Sequence, residues 1–203
     1  MTIDHLGAAL FPEHMFLRVI GRLSFPLFCY LLVLGMESTR NAKNYVARLF
    51  IFALISQIPF YLALGYEPFE AFNIFFTLSF GLASLLKPLL ILPSLLISEF
   101  LNFDYGAYGI LLIAFMRILR GNMRNGIFAI VLLNIIYPPL FDIKMFSLLT
   151  LPIILLHMGG YLNMERGDKG NTGYSAWRKY FFYIYYPLHL TVIYLVKVSI
   201  LKM

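Results

Sequence analysis

MTIDHLGAALFPEHMFLRVIGRLSFP, residues 1–26, decides how the rest of the chain is read. Most of it suits hydrocarbon, yet it carries Asp4, His5, Arg18 and Arg22. An ionisable side chain inside an apolar span is costly and by default marks a functional site. Asp4 and His5 are adjacent, so on a helix they point about 100° apart. They cannot form one simple hydrogen-bonded pair; one faces the bundle and the other braces a neighbour. Arg18 and Arg22 stand one turn apart and share a face. Two like charges there repel unless an anion lies between or beside them, either Asp4 or a ligand. The planar guanidinium suits such a role because it grips a carboxylate or phosphate at two points. The plainer alternatives are a helix-packing polar pair for Asp4-His5 and snorkelling to the headgroups for the arginines, easier for Arg18 than for Arg22. Gly21, Ser24 and Pro26 on the same helix permit close approach and a kink.

Working outward, the 203 residues are 61% hydrophobic and only 13% charged, against about 25% charged in a soluble domain. That is too little polar surface to cover a globule, so the solvent is lipid. The apolar runs are continuous rather than alternating, which selects helices over a barrel. The expected fold is therefore all-α, a polytopic transmembrane bundle forming one domain over 1–203. The net charge of +6 sits in short loops, which points to cytoplasmic loops of a bilayer protein and away from nucleic acid. The single cysteine, Cys29, reads as a buried structural thiol. No basic leader or cleavage site stands at Met1, so no signal peptide is expected.

Residues 1–11 reach only half of a core about 30 Å thick, so the first helix is read as shortened or truncated. Further spans are expected at 14–36, 47–64, 126–141, 146–160 and 180–201, with 105–119 running into a basic loop. Residues 73–98 are either one tilted helix or two short ones hinged at Lys87-Pro88, since Pro cannot continue the ladder. Acidic loops at Glu67 and Glu70 before this stretch, and at Glu99 and Asp104 after it, favour two. The count is about eight to nine helices, with the three most basic loops on the cytoplasmic face. Residues 161–179 form one long polar loop, and Trp177 with the aromatics of 180–186 reads as an interface belt.

Other polar residues break the spans. His189 follows Pro187, which frees a carbonyl in mid-helix, so a structural and a catalytic role stand equal. Gln57 with Pro59, and Asn73 with Thr77, are candidates for cavity lining or for interhelical hydrogen bonding. Asp104 opens a helix, where an N-cap is the alternative to a site role. No metal-ligand spacing, phosphate-cradling glycine loop or serine-nucleophile motif is present, so no metal is expected.

The runs IDHLG, RVIGRLSFPLFCYLLVLG and RLFIFALISQIPFYLAL, followed in order by NIFFTLSFG, DYGAYGILLI and FFYIYYPLHL, resemble the TraX family. This family is named for the N-acetylase of F-type conjugative pilin. Its members carry a longer apolar run before the IDH motif. It is similar to a wider group of membrane acyltransferases that includes heparan-α-glucosaminide acetyltransferase. The resemblance implies a multi-pass protein of the bacterial cytoplasmic membrane that moves acetyl from cytosolic acetyl-CoA to an amine outside, the acceptor of the family's namesake being a pilin. Acetyl transfer to an amine requires a base, donors for the developing oxyanion, and cations for CoA phosphates. His5 is expected as the base, oriented by Asp4, with His189 the rival. Arg22, with Arg18 behind it, is expected at the oxyanion or at an acidic acceptor. Arg48, at the mouth of an apolar span, is the foremost candidate for CoA among Arg40, Lys43, Arg48, Arg117, Arg120 and Arg124; Gln57, Asn73, Asp104 and His189 complete the binding set. The competing reading is a transporter or permease, which duplicated halves would favour and which finds no repeat here. A non-catalytic assembly subunit is the other.

Overall fold

A computed structural model of the protein describes residues 1–11, 13–137, 148–161 and 172–201; the side chains of Arg18, Arg22, residues 172–179 and Leu201 lie outside that description. The loop at Asp142 and Lys144, most of the polar loop 161–179, and the side chain of Trp177 therefore fall outside it as well.

Among the described residues there are nine α-helices: α1 Thr2–Leu10, α2 Met15–Ser38, α3 Ala42–Leu64, α4 Ile74–Leu86, α5 Ile91–Phe100, α6 Gly106–Gly121, α7 Met123–Ile136, α8 Leu151–Met158 and α9 Thr172–Leu201. The all-α bundle agrees with the composition. Three helices, over Met15–Ser38, Ala42–Leu64 and Tyr180–Ile200, are long and apolar enough to cross a bilayer. Their outer faces, and those of the shorter helices, are apolar; Ile58, Leu96 and Ile136 are each about 70% exposed, the exposure expected of lipid-facing positions.

Asparagine starts three of the helices. Asn41 accepts from Asn44 N at 3.0 Å, Asn73 from Phe75 N at 3.0 Å and Asn122 from Asn125 N at 3.1 Å. Each satisfies one orphan donor of a first turn. The Asn41 cap explains why α3 begins at Ala42 and not at 47: the cap is strong enough to carry Lys43, Asn44 and Arg48 on the first two turns. Gly65, at φ +79°, closes the same helix with its N–H on Tyr61 O at 2.8 Å, a left-handed position that suits glycine.

Residues 73–98 form two short helices. The chain leaves α4 at Lys87, passes through a 3-10 turn over Pro88–Leu90 and returns as α5. Ser84 and Ser94 meet across the hairpin at 3.0 Å. Its open end is tied by a short parallel bridge: Phe72 N donates to Asn102 O at 3.1 Å, and Asp104 N to Phe72 O at 2.8 Å. Asn102 also donates to Glu70 O. The acidic residues at both ends of this stretch thus lie at one end of the bundle.

Two of the expected spans are described only in part. α7 has 14 residues, about 21 Å, and α8 has 8, about 12 Å; residues 138–147, which the spans expected at 126–141 and 146–160 include in part, lie outside the described residues. The last helix, in turn, begins at Thr172 rather than at 180. α4 and α6 occupy the interior, with Leu82, Ile110, Leu112 and Ile113 wholly buried. α1 rests on α2 and α9, and α9 packs along α3. Cys29 is buried as expected.

Candidate functional site

α1 reaches the interior because α2 offers it a glycine. A Cβ on Gly21 would lie 2.2 Å from Asp4 Cβ, so no larger residue fits without displacing the helix. Ser24, one turn on, donates to Gly21 O at 2.6 Å and accepts from the main-chain nitrogen of Met1 at 3.0 Å. From the other side, Thr2 and the Tyr185 hydroxyl of α9 meet at 2.7 Å. Clamped in this way, α1 turns His5 into the bundle, 5% exposed.

There His5 Nδ1 meets His189 Nε2 of α9 at 2.9 Å. The two rings are 13° from parallel with centroids 5.1 Å apart, the separation of rings joined edge to edge through one N–H···N bond. His189 Nδ1 lies 2.9 Å from Tyr185 O, one turn back. The two rival bases of the sequence are therefore one hydrogen-bonded pair, with His189 Nε2 against His5 Nδ1.

Next to the pair lies a narrow cleft lined by Asp4, His5, Ser24, Phe25, Asp104 and Tyr105, among others, with room for about one water molecule. Three residues in left-handed conformation, Asn102, Tyr105 and Gly106, turn the chain sharply enough to bring Asp104 and Tyr105 to it. Tyr105 is held there by stacking on Phe25, centroids 3.6 Å apart. Asp104 does not cap α6. The acid that does is Glu99, whose Oε1 accepts from Ala107 N at 2.8 Å and also from the Tyr137 hydroxyl. The main-chain carbonyl of Asp104 accepts from buried Thr77.

Two buried polar atoms of this cluster meet no hydrogen-bond partner among the described residues: Asp4 Oδ1 and the Tyr186 hydroxyl. Such atoms are uncommon and call for an explanation in function or in an unseen partner. Tyr186 is 2% exposed, with its ring 5.8 Å from His5 and 5.3 Å from His189. The interface-belt reading of 180–186 is thus corrected for two residues: Tyr183 and Tyr186 turn inward, while Tyr180, Phe181, Phe182 and Tyr185 face out. The three-residue spacing of Tyr186 and His189, which places them on one helical face, is the signal that would have found Tyr186.

The structure brings Asp4, His5, Asp104 and His189 together. It gives Gln57 and Asn73 another task. Gln57 Oε1 accepts from both nitrogens of Asn73, at 2.6 and 3.1 Å, while Gln57 Nε2 donates to Ala71 O and Asn73 Nδ2 to Ala53 O. This closed network straps the start of α4 to α3 and leaves little capacity for a ligand. Arg48 lies on α3 with its guanidinium 5.7 Å from the Tyr45 ring and against Tyr183 of α9; its Nε is buried without a partner among the described residues. It does not line the cleft. At the basic end, Arg117 and Arg120 both bind Glu37, at 3.1 and 2.9 Å. Tyr30 joins His157 at 2.9 Å, while His14 is exposed. Arg18 and Arg22 lie on α2, but their side chains are outside the described residues.

The TraX family model, described as TraX protein, matches residues 1–197. The chain belongs to the TraX family. The match spans every residue of the His5–His189 cluster. Among similar proteins, the "Probable fimbrial assembly protein FimC, serogroup H1" of Dichelobacter nodosus is 26% identical over 223 residues, covering 95% of this TraX-family chain and 89% of that protein. The "Uncharacterized protein RP591" of Rickettsia prowazekii (strain Madrid E) is 35% identical over 81 residues, 40% of this chain and 30% of that one. No solved structure matches.

Proposed function

We propose that this TraX-family protein is a membrane acetyltransferase that takes acetyl from cytosolic acetyl-CoA and transfers it to an amine on the opposite side of the bacterial cytoplasmic membrane. The observation that carries the reading is the buried His5–His189 pair at a cleft shared with two carboxylates. The fimbrial name of the Dichelobacter relative supports a pilin-like acceptor.

In this reading the acceptor nitrogen attacks the thioester carbonyl, and His5 removes its proton. Asp4 and Asp104 sit where an amine in its ammonium form is drawn to the cleft; it gives one proton to water before its nitrogen attacks. Arg22, with Arg18 behind it, remains the candidate for the oxyanion. Arg48, with an uncommitted buried Nε and aromatic neighbours, is the candidate for a CoA phosphate. Arg117 and Arg120 are already occupied by Glu37 and are weaker candidates. The cleft holds about one water molecule as it stands, so an acetyl thioester enters only when it widens.

The test is the purified full-length chain in detergent with radiolabelled acetyl-CoA and synthetic peptides bearing a free α-amine. Wild type transfers label; His5→Ala does not, while keeping its melting temperature. CoA raises the melting temperature of wild type and not of Arg48→Ala. A wild-type chain that neither transfers label nor is stabilised by CoA rules the enzyme out.

A further inference from the structure

The hydrogen bonds fix more than contact. A carbonyl oxygen only accepts, so the Nδ1 of His189, at 2.9 Å from Tyr185 O, carries a proton. With that ring neutral, its Nε2 is an acceptor, and the 2.9 Å contact requires His5 Nδ1 to donate. With both rings neutral, the unprotonated nitrogen of His5 is then Nε2. The chain of atoms runs Tyr185 O, His189 Nδ1–H, His189 Nε2, His5 Nδ1–H, His5 Nε2. It is set up to pass one proton inward.

We propose that His5 and His189 act as one two-ring base, with His189 holding the proton that His5 removes; this rests on the acetyltransferase reading. The nitrogen of the acceptor amine bonds to the thioester carbon and gives its proton to His5 Nε2. The proton on His5 Nδ1 moves to His189 Nε2. His5 is then neutral again, and the positive charge rests on His189 between the Tyr185 carbonyl and ring, the ring centroids lying 5.1 Å apart, a placement that favours a cation. When the carbon–sulfur bond breaks, the proton returns along the same path and leaves from His5 Nε2 to the CoA sulfur. The products are the amide and CoA thiol, with no proton gained or lost by the protein. Charge is thereby kept off the ring that faces the incoming amine. His189 does not touch substrate and is a positioning residue that also stores a proton. The groups facing the pair among the described residues are the main-chain nitrogen of Met1 and Asp4 of α1, Asp104 and Tyr105 from the turn before α6, and Tyr185 and Tyr186 from α9.

His189→Gln separates storage from orientation. A glutamine carbonyl is able to accept from His5 Nδ1 but holds no proton. The experiment is nitrogen-15 NMR of the full-length chain labelled at histidine, in detergent, with acetyl transfer from radiolabelled acetyl-CoA measured alongside. In wild type both His5 and His189 show the Nδ1–H form, and on acidification the first proton shifts the resonances of both rings together. In His189→Gln, His5 stays in the Nδ1–H form while kcat falls about 100-fold or more, the scale of general acid–base catalysis, with KM for acetyl-CoA unchanged. An Nε2–H form of His5 in wild type, separate titration of the two rings, or wild-type kcat in His189→Gln overturns the relay. A wild-type chain with no acetyl transfer but with both Nδ1–H forms and a shared titration refutes the acetyltransferase reading, and the relay with it, while the hydrogen-bonded pair stands; transfer in wild type with separate titrations refutes the relay alone.

Discussion

Tyr186 carries a hydroxyl buried at the centre of the bundle with no partner among the described residues. A stranded polar group of this kind costs about 1–3 kcal/mol. Tyr186→Phe is therefore expected to leave the melting temperature unchanged or raised, and to lower acetyl transfer if the hydroxyl serves the cleft. A fall of several degrees shows that the group is satisfied by something the bundle itself provides. Asn73 is the opposite case. Its side chain donates to Ala53 O and Gln57 and caps Phe75 N, so Asn73→Ala strands several groups at once and is expected to cost about 2 kcal/mol or more. Interhelical polar contacts in membranes average only about 0.6 kcal/mol each, and the cap supplies the difference. Denaturant titration in detergent measures it; a cost below that single-contact average means the strap between α3 and α4 is slack.

Glycines set how closely the helices approach. A Cβ on Gly126 would meet the main chain of Leu119 at 2.2 Å, and backbone does not yield as a side chain does. Gly126→Val is expected to force α7 from α6 at about 1–3 kcal/mol. Gly21→Val does the same to α1 and α2, but its consequence is functional: moving α1 parts His5 from His189. Acetyl transfer should be lost while most of the bundle melts as before; full activity in Gly21→Val means that α1 does not set the catalytic geometry. Glu99 holds the first turn of α6 from the preceding helix. Glu99→Ala should cost about 1 kcal/mol, the usual worth of a cap, and Glu99→Gln should recover part of it.

Across the whole molecule, charge sorts to the two ends of the bundle. Arg117 and Arg120 gather on Glu37, where α2 and α6 end, while the Glu70 and Asn102 loops are tied together at the opposite end. These exposed ion pairs add little stability; the proposed topology places them on the cytoplasmic side. A membrane-impermeant maleimide should label cysteines placed at Arg40 and Arg124 only from the cytoplasmic side, and at Glu67 and Asn102 only from the other. Cys29 is buried and stays silent. Labelling of all four from one side removes the proposed passage of acetyl from the cytosol outward.

The sequence by itself determined the apolar surroundings, the helical class and the break at Lys87-Pro88, and it singled out Asp4, His5 and His189 as candidates. Hydropathy, proline geometry and the cost of charge in lipid are local properties, and each is written in a few consecutive residues. Only the tertiary structure decided that His5 and His189 are partners and not rivals, for they lie 184 positions apart. It likewise decided that Tyr186 faces inward, that Glu99 and not Asp104 caps α6, and that Gln57 and Asn73 bind each other. In each case a group with unused hydrogen-bonding capacity had several possible partners along the chain. Which of them it met depended on how closely helices remote in sequence were able to pack, and that distance is set by residues such as Gly21 on another helix.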